Sequence, residues 1–146
     1  MKPYKIAIAI LITCLVWSFS LQSGEDSSQL SGGLSTWALS IINTVFPSWN
    51  LSIDLLHTII RKSAHLVSYA CSGFTWAWAL KGIQVRWEYY LALGLGISIT
   101  GELLQFLSPE RGPSLVDAFG FNFIGFLFGW MFVQRYVGVR SQKRAE

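Results

Sequence analysis

HTIIRKSAHLVSYACSGF, residues His57–Phe74, decides how this chain is read. The stretch is apolar enough overall for a membrane-spanning helix, yet Arg61, Lys62 and His65 stand in its first half. A charge at membrane depth is costly, so it marks either a structural pair or a functional site. Working outward, polar residues recur as Asp54, Thr58, Arg61, His65, Ser68 and Ser72, in steps of four, three, four, three and four. That rhythm puts all of them on one stripe of a helix, and such a stripe has to face other helices rather than lipid.

The rest of the chain supports a membrane setting. Of 146 residues, 52% are hydrophobic and only 13% charged, with seven Trp and ten Phe, a composition too apolar for a soluble domain of this length. The net charge of +3 comes from short basic clusters at the ends of hydrophobic segments, which excludes nucleic acid as a partner. Cys14 and Cys71 lie inside apolar segments, which argues against a disulfide framework or a zinc site. No repeat or linker divides residues 1–146, so a single domain is expected.

A span needs ~20 mostly apolar residues, and four segments qualify: about 4–21, 55–80, 87–107 and 115–137. The first also has the outline of a signal peptide, with Lys2 and Lys5 before it and Ser18 and Ser20 at its end. Trp17 and Phe19 in its final turn favour a retained span. Between the first two spans, Leu30, Leu34, Trp37, Ala38, Ile41, Ile42 and Val45 recur at helical spacing. They predict an interfacial amphipathic helix over about 27–46, started by Asp26 and Gln29 as a capping box and stopped by Pro47. A short helix folded against the bundle uses the same apolar stripe. The expected fold is therefore an all-α, four-transmembrane-helix bundle with an interfacial helix after the first span.

Charge placement sets the orientation. Lys2, Lys5, Lys81, Arg86, Arg135, Arg140, Lys143 and Arg144 make eight of the eleven basic residues, and all fall on one side of a four-span chain. The positive-inside rule makes that side cytoplasmic, with both termini inside a multi-pass plasma-membrane protein. The basic tail also suits anionic inner-leaflet lipids. Trp17, Trp49, Trp87, Tyr89, Tyr90 and Tyr136 fall near the predicted boundaries as an aromatic belt.

Arg61, Lys62 and Arg111 are the exceptions on the outer side. Ser98, Glu102 and Gln105 form a second polar stripe in the third span, and Asp117 and Asn122 are the polar pair of the fourth. Counting from the outer boundary, Arg61, Glu102 and Asp117 lie ~5–9 Å deep and His65 and Asn122 ~12–15 Å deep, at 1.5 Å per residue. An outward-facing polar cleft follows, with Arg61, Lys62, His65 and Arg111 against Glu102 and Asp117.

These residues carry a family resemblance. WSFSLQSGEDSSQLS, RKSAHLVSYACSG, TGELLQFLSPERGPSLVDAFG and NFIGFLFG together resemble the VanZ-like membrane protein family. The most specific signs are R-K-x-A-H followed by E-x-x-Q and R-x5-D. Matched position by position, the family signature falls on Arg61, Lys62, His65, Glu102, Gln105, Arg111, Asp117 and Asn122, which the resemblance implies as ligand-binding residues. In the family pattern the acid and the following Asn or Asp are usually four apart, whereas Asp117 and Asn122 are five apart. On a regular helix five residues is ~140° of turn. The family's namesake is an accessory protein of glycopeptide resistance associated with reduced teicoplanin susceptibility, so the resemblance implies a cell-envelope phenotype rather than a reaction.

Structural and functional readings stand side by side. Arg61 with Glu102 or Asp117 would make a buried ion pair that holds helices together. Surplus positive charge in the cleft would suit an anionic envelope lipid, a lipid-linked precursor or the antibiotic. No GxSxG elbow, P-loop or SxxK is present, so an enzyme would rely on His65 and Glu102 as an acid–base pair, with Arg61 and Arg111 stabilising charge. His65, Glu102 and Asp117 have the ligand types of a zinc site but no HExxH, and no metal or cofactor is expected. His57 reads as solvated. Gly125 and Gly129 form GxxxG, a signal for close helix packing with homo-oligomerisation as the alternative.

Overall fold

Long apolar runs predict the approximate extent of the helices, and a computed structural model places helices over them. It describes residues 2–46, 48–49, 51–83, 85–109 and 112–137. Pro47, Arg111, Arg140, Lys143 and Arg144 lie outside the described residues. Helix α1 spans Pro3–Ser20, with Pro3 in the turn where a missing N–H costs nothing. Helix α2 is Gly24–Val45. Helix α3, Ile53–Ala79, starts on Ser52, whose hydroxyl accepts from the Leu55 amide at 3.2 Å. Helix α4, Trp87–Leu104, tightens into a 3-10 turn over Gln105–Leu107. The last helix, α5, runs Leu115–Asp117, changes to a π-helix over Ala118–Phe123, returns to α over Ile124–Phe132 and ends in a π-turn, Val133–Val137. No strand occurs among the described residues.

Among the described residues, three helices are long and apolar enough to cross a membrane: Pro3–Ser20, Trp87–Leu107 and Leu115–Tyr136. Helix α3, read from the sequence as a further span, has 27 residues and so a length of ~40 Å. Its polar stripe keeps it out of that apolar set. Helix α2 begins at Gly24, earlier than its predicted start near residue 27. Asp26 therefore sits inside the first turn instead of capping it, and Gln29 Nε2 donates to Glu25 Oε1 at 3.4 Å.

Helices α1 and α4 run one way, α3 and α5 the other. The α3–α5 crossing is set by glycine: a Cβ added at Gly125 would overlap the Leu66 carbonyl, one at Gly129 the Ala70 carbonyl, and one at Gly73 the Phe126 carbonyl. Small residues allow backbones to approach this closely where the surrounding solvent gives helices no hydrophobic reason to associate. The GxxxG pair is thus used within the chain, and a second copy would have to meet another surface. Phe126, fully buried, fills the centre with Val16, Tyr69 and Ile97.

Helix α1 is keyed into the bundle by polar contacts. Thr13 Oγ1 lies 3.0 Å from Ser72 Oγ and accepts from Trp76 Nε1 at 3.0 Å, so the Ser72 end of the α3 stripe is satisfied by α1. Trp17, read as a belt residue, is half-buried and donates its indole N–H to the Ile97 carbonyl at 3.0 Å. Tyr90, also read as belt, is buried and stacks on Trp130 at 5.3 Å between ring centroids. Trp49, Trp87, Tyr89 and Tyr136 remain exposed. Between α3 and α4 the chain turns at Gly82, whose φ of 93° suits glycine.

The crossing makes a sharp forecast. Gly129→Ala should destabilise the purified protein by about 1–3 kcal/mol through overpacking. Gly96→Ala, which meets nothing within 4 Å, should be neutral or stabilise by up to about 1 kcal/mol. Heating followed by fluorescence-detected size exclusion compares the two.

Candidate functional site

The α3–α5 crossing and the α4–α5 turn bring Lys62, His65, Glu102, Asp117 and Asn122 to one end of the bundle. Lys62 Nζ meets Asp117 Oδ1 at 2.5 Å, with the two side chains 30% and 20% exposed, and lies 4.5 Å from the centre of the Phe121 ring. Lys62, and not Arg61, therefore makes the ion pair with α5. Glu102 is 4% exposed and pairs with no cation among the described residues. Its Oε1 accepts from Asn122 Nδ2 at 2.7 Å and its Oε2 from the Ser114 amide at 3.0 Å. Both oxygens act as acceptors, as in an ionised carboxylate.

Asn122 is fully buried and forms the centre of this chain of contacts. With its amide nitrogen committed to Glu102, its carbonyl oxygen faces His65 Nδ1 at 3.2 Å. The linkage Ser114–Glu102–Asn122–His65 thus crosses from the start of α5 through α4 to α3. No cluster of three His, Cys, Asp or Glu side chains that could hold a metal ion occurs among the described residues; Asn122 separates His65 from Glu102, and Asp117 faces Lys62.

The five-residue spacing of Asp117 and Asn122 has a geometric answer. A π-helix closes its hydrogen bonds from i to i+5, so residues five apart nearly line up. The π segment Ala118–Phe123 takes up the additional residue. Asp117 and Asn122 consequently both reach α3, at Lys62 and His65 respectively.

Ser114 was not singled out from the sequence. Its hydroxyl caps α5 by accepting from the Asp117 amide at 3.2 Å, while its own amide is held by Glu102. In a capping box the acid three residues on would take that amide itself. Here Asp117 is turned to Lys62 and Glu102 substitutes from another helix. The S-x-x-D pattern at Ser114–Asp117 was the signal available.

Beside this cluster lies a cavity of about 240 Å³ between α1, α2 and α3. Val16, Phe19, Leu34 and Ile60 make much of its wall, and Arg61, His65 and Tyr69 also line it. Arg61 is exposed and makes no ion pair among the described residues. Tyr69 is 1% exposed; its hydroxyl is packed against Gly101, near Ser20 and Glu102, and meets no partner in hydrogen-bonding geometry among the described residues. His57, read as solvated, is half-buried, and its Nε2 lies 2.6 Å from Ser31 Oγ of α2. Ser27, Ser31 and Ser35 repeat every four residues, a polar face of α2 that the apolar pattern obscured. Gln105 is buried in the 3-10 turn, and Arg111 lies outside the described residues.

Apolar helices around a buried carboxylate and amide and a half-buried imidazole define a membrane-embedded helical protein with a polar cluster at one end. The chain matches the VanZ/LLP1 family model over residues 5–137 and belongs to that family. No curated protein and no solved structure matches it.

The π-turn account predicts a tolerated deletion. Removing the exposed Phe119 shortens the Asp117-to-Asn122 interval to four and should let the segment become α-helical with both residues still facing their partners. The melting temperature should then move by only a few degrees, whereas inserting an alanine after Phe119 should lower it sharply. Thermal unfolding of the two variants tests this.

Proposed function

We propose that the protein is a plasma-membrane component of the cell envelope that binds an anionic group in an outward-facing cleft. The group belongs to an envelope lipid or a lipid-linked precursor. One observation carries this reading: Lys62 is neutralised by Asp117, while Arg61 stands exposed at an amphipathic cavity without an ion pair among the described residues. An arginine offers a planar, bidentate surface suited to phosphate or carboxylate. In this reading α3 is a fourth span, because Ser72 and His65 of its stripe meet α1 and α5 instead of lipid, and both termini are cytoplasmic.

Helix α2 is then interfacial. Trp37, Ile41, Val45, Phe46 and Trp49 are exposed apolar groups suited to the headgroup boundary. Its serine face, through Ser31, turns to α3. Family membership supports an influence on glycopeptide susceptibility, with teicoplanin the first compound to examine; the antibiotic itself is an alternative occupant of the cleft. A second reading, an enzyme acting on a lipid-linked headgroup, is favoured by the Glu102–Asn122–His65 chain, which orients an imidazole at the cavity.

Cells expressing the wild type should tolerate teicoplanin better than cells with Arg61→Ala or Glu102→Gln at matched membrane levels, with vancomycin as comparison. Equal susceptibility of all three strains and an empty-vector control would overturn the resistance reading. For an enzyme, His65→Asn would abolish turnover of a lipid-linked substrate while binding and abundance persisted.

A further inference from the structure

Helix α2 is weakest where it borders the cavity. Its middle reads SGGLS over residues 31–35, and a Cβ added at Gly32 or Gly33 would meet nothing within 4 Å. Close packing therefore calls for neither glycine, in contrast to Gly73, Gly125 and Gly129 at the α3–α5 crossing. Apart from proline, glycine is the poorest helix former, and helix kinks gather at Gly and Ser pairs. The hydroxyls around the pair also bond back into the helix. Ser31 Oγ donates to the Ser27 carbonyl at 2.6 Å, Ser35 Oγ to the Ser31 carbonyl at 2.6 Å and Thr36 Oγ1 to the Gly32 carbonyl at 3.0 Å. Such bonds compete with the helical ladder and bend it.

The ends of α2 are tied down. The Gly24 amide donates to the Pro109 carbonyl at 3.1 Å, and beyond the last turn Phe46 stacks on Trp49 at 4.9 Å between ring centroids. In the middle, Ser31 meets α3. Its hydroxyl hydrogen goes to the Ser27 carbonyl, so its oxygen accepts from His57 Nε2 at 2.6 Å. Ser35, one turn on and on the same face, is 0% exposed.

Ser31 and Leu34, on either side of the glycine pair, line the cavity. Its volume of about 240 Å³ falls below the roughly 300–1,000 Å³ of sites that hold small organic ligands. A wall that moves supplies the missing space. We infer that α2 is a gate whose middle buckles outward at Gly32–Gly33 between fixed ends, carrying Ser31, Leu34 and Ser35 off α3 and enlarging the cavity for a guest too large for it at rest. The hydrogen bond from His57 to Ser31 is the latch. This goes beyond the anion-binding reading, because a hinged wall sorts guests by size whatever their charge.

The closed gate is the straight helix, so a better helix former at the pair keeps it shut. Alanine has open space at both positions and favours the helical form about four- to fivefold per residue, about twentyfold for the two. The test uses the full chain in detergent. Cys14 and Cys71 are exposed and are first removed as Cys14→Ala and Cys71→Ala. Ser35→Cys then reports α2 leaving α3, and Ser98→Cys, at a fully buried position of α4, reports global unfolding. Labelling of a buried thiol by N-ethylmaleimide follows the open population when reclosing outruns labelling.

The expected result is that Ser35→Cys labels well ahead of Ser98→Cys. Gly32→Ala with Gly33→Ala should slow labelling of Ser35→Cys about twentyfold, and His57→Ala should speed it about fivefold, the worth of one hydrogen bond. Ser68→Cys, on the half-buried cavity wall, tests the gate by size. The alanine pair should slow its reaction with a bulky, uncharged BODIPY maleimide and leave its reaction with small N-ethylmaleimide unchanged. Hydrogen exchange needs no introduced thiol: the amides of residues 32–37 should gain about twentyfold protection with the alanine pair.

Equal labelling rates for Ser35→Cys and Ser98→Cys would overturn the inference, because α2 would then leave α3 only on unfolding. Labelling of Ser35→Cys and amide exchange that ignore the alanine pair would overturn the hinge. Equal responses of the two maleimides at Ser68→Cys would overturn the gate, since α2 would then move without sorting guests by size. Both reagents are uncharged, so each outcome leaves the role of Arg61 to its own test.

Discussion

Contact between the backbones of α3 and α5 governs what the side chains around it can do. Gly73, Gly125 and Gly129 leave no room for a Cβ at the crossing, so the polar stripe of α3 is brought within a side chain's reach of α5. At that separation Lys62 spans to Asp117 and His65 to Asn122. Wider helix spacing would leave those groups facing an apolar gap, where each unsatisfied hydrogen-bonding group costs several kcal/mol. Packing and polar satisfaction are therefore one requirement here, met by three missing side chains.

The same economy explains how differently the two acids are treated. Asp117 remains partly accessible and takes a lysine. Glu102 is deeper and receives neutral donors, an amide side chain and a backbone N–H. Neutral donors stabilise a carboxylate without bringing in another charge to desolvate, and they leave its negative field available to His65. Toward the opposite end of α3 the stripe is held by neutral groups, with Thr13, Ser72 and Trp76 satisfying one another. Polarity along the stripe thus falls from ionic to hydroxyl toward the other end of the bundle.

Much of this was legible in the sequence. Helix existence and approximate extent followed from the apolar runs, and the polar stripes included His65 and Glu102, two of the residues that come together at one end. Partner choice was not legible, because adjacent Arg61 and Lys62 differ by ~100° around a helix and only the crossing angle decides which one faces α5. The π segment was visible only as an awkward five-residue interval between Asp117 and Asn122. Trp17 and Tyr90 misled because boundary position in sequence does not reveal whether a ring points to lipid or to a neighbouring helix; Gly101 and Trp130 provide their seats. The start of α2 was read too late because its first turn is polar, and His57 was read as solvated because its partner Ser31 belongs to a different helix.

The divided cap of α5 reaches into how the protein is made. Helix ends leave amides that lipid cannot satisfy, and the Ser114 amide finds its acceptor on Glu102, twelve residues earlier in the chain. Neither segment is self-sufficient at this end: one carries an acid needing donors, the other a donor needing an acceptor. The smallest unit that can enter the bilayer with both satisfied is the α4–α5 hairpin. Satisfying this end therefore requires both arms together, whatever the position of α3.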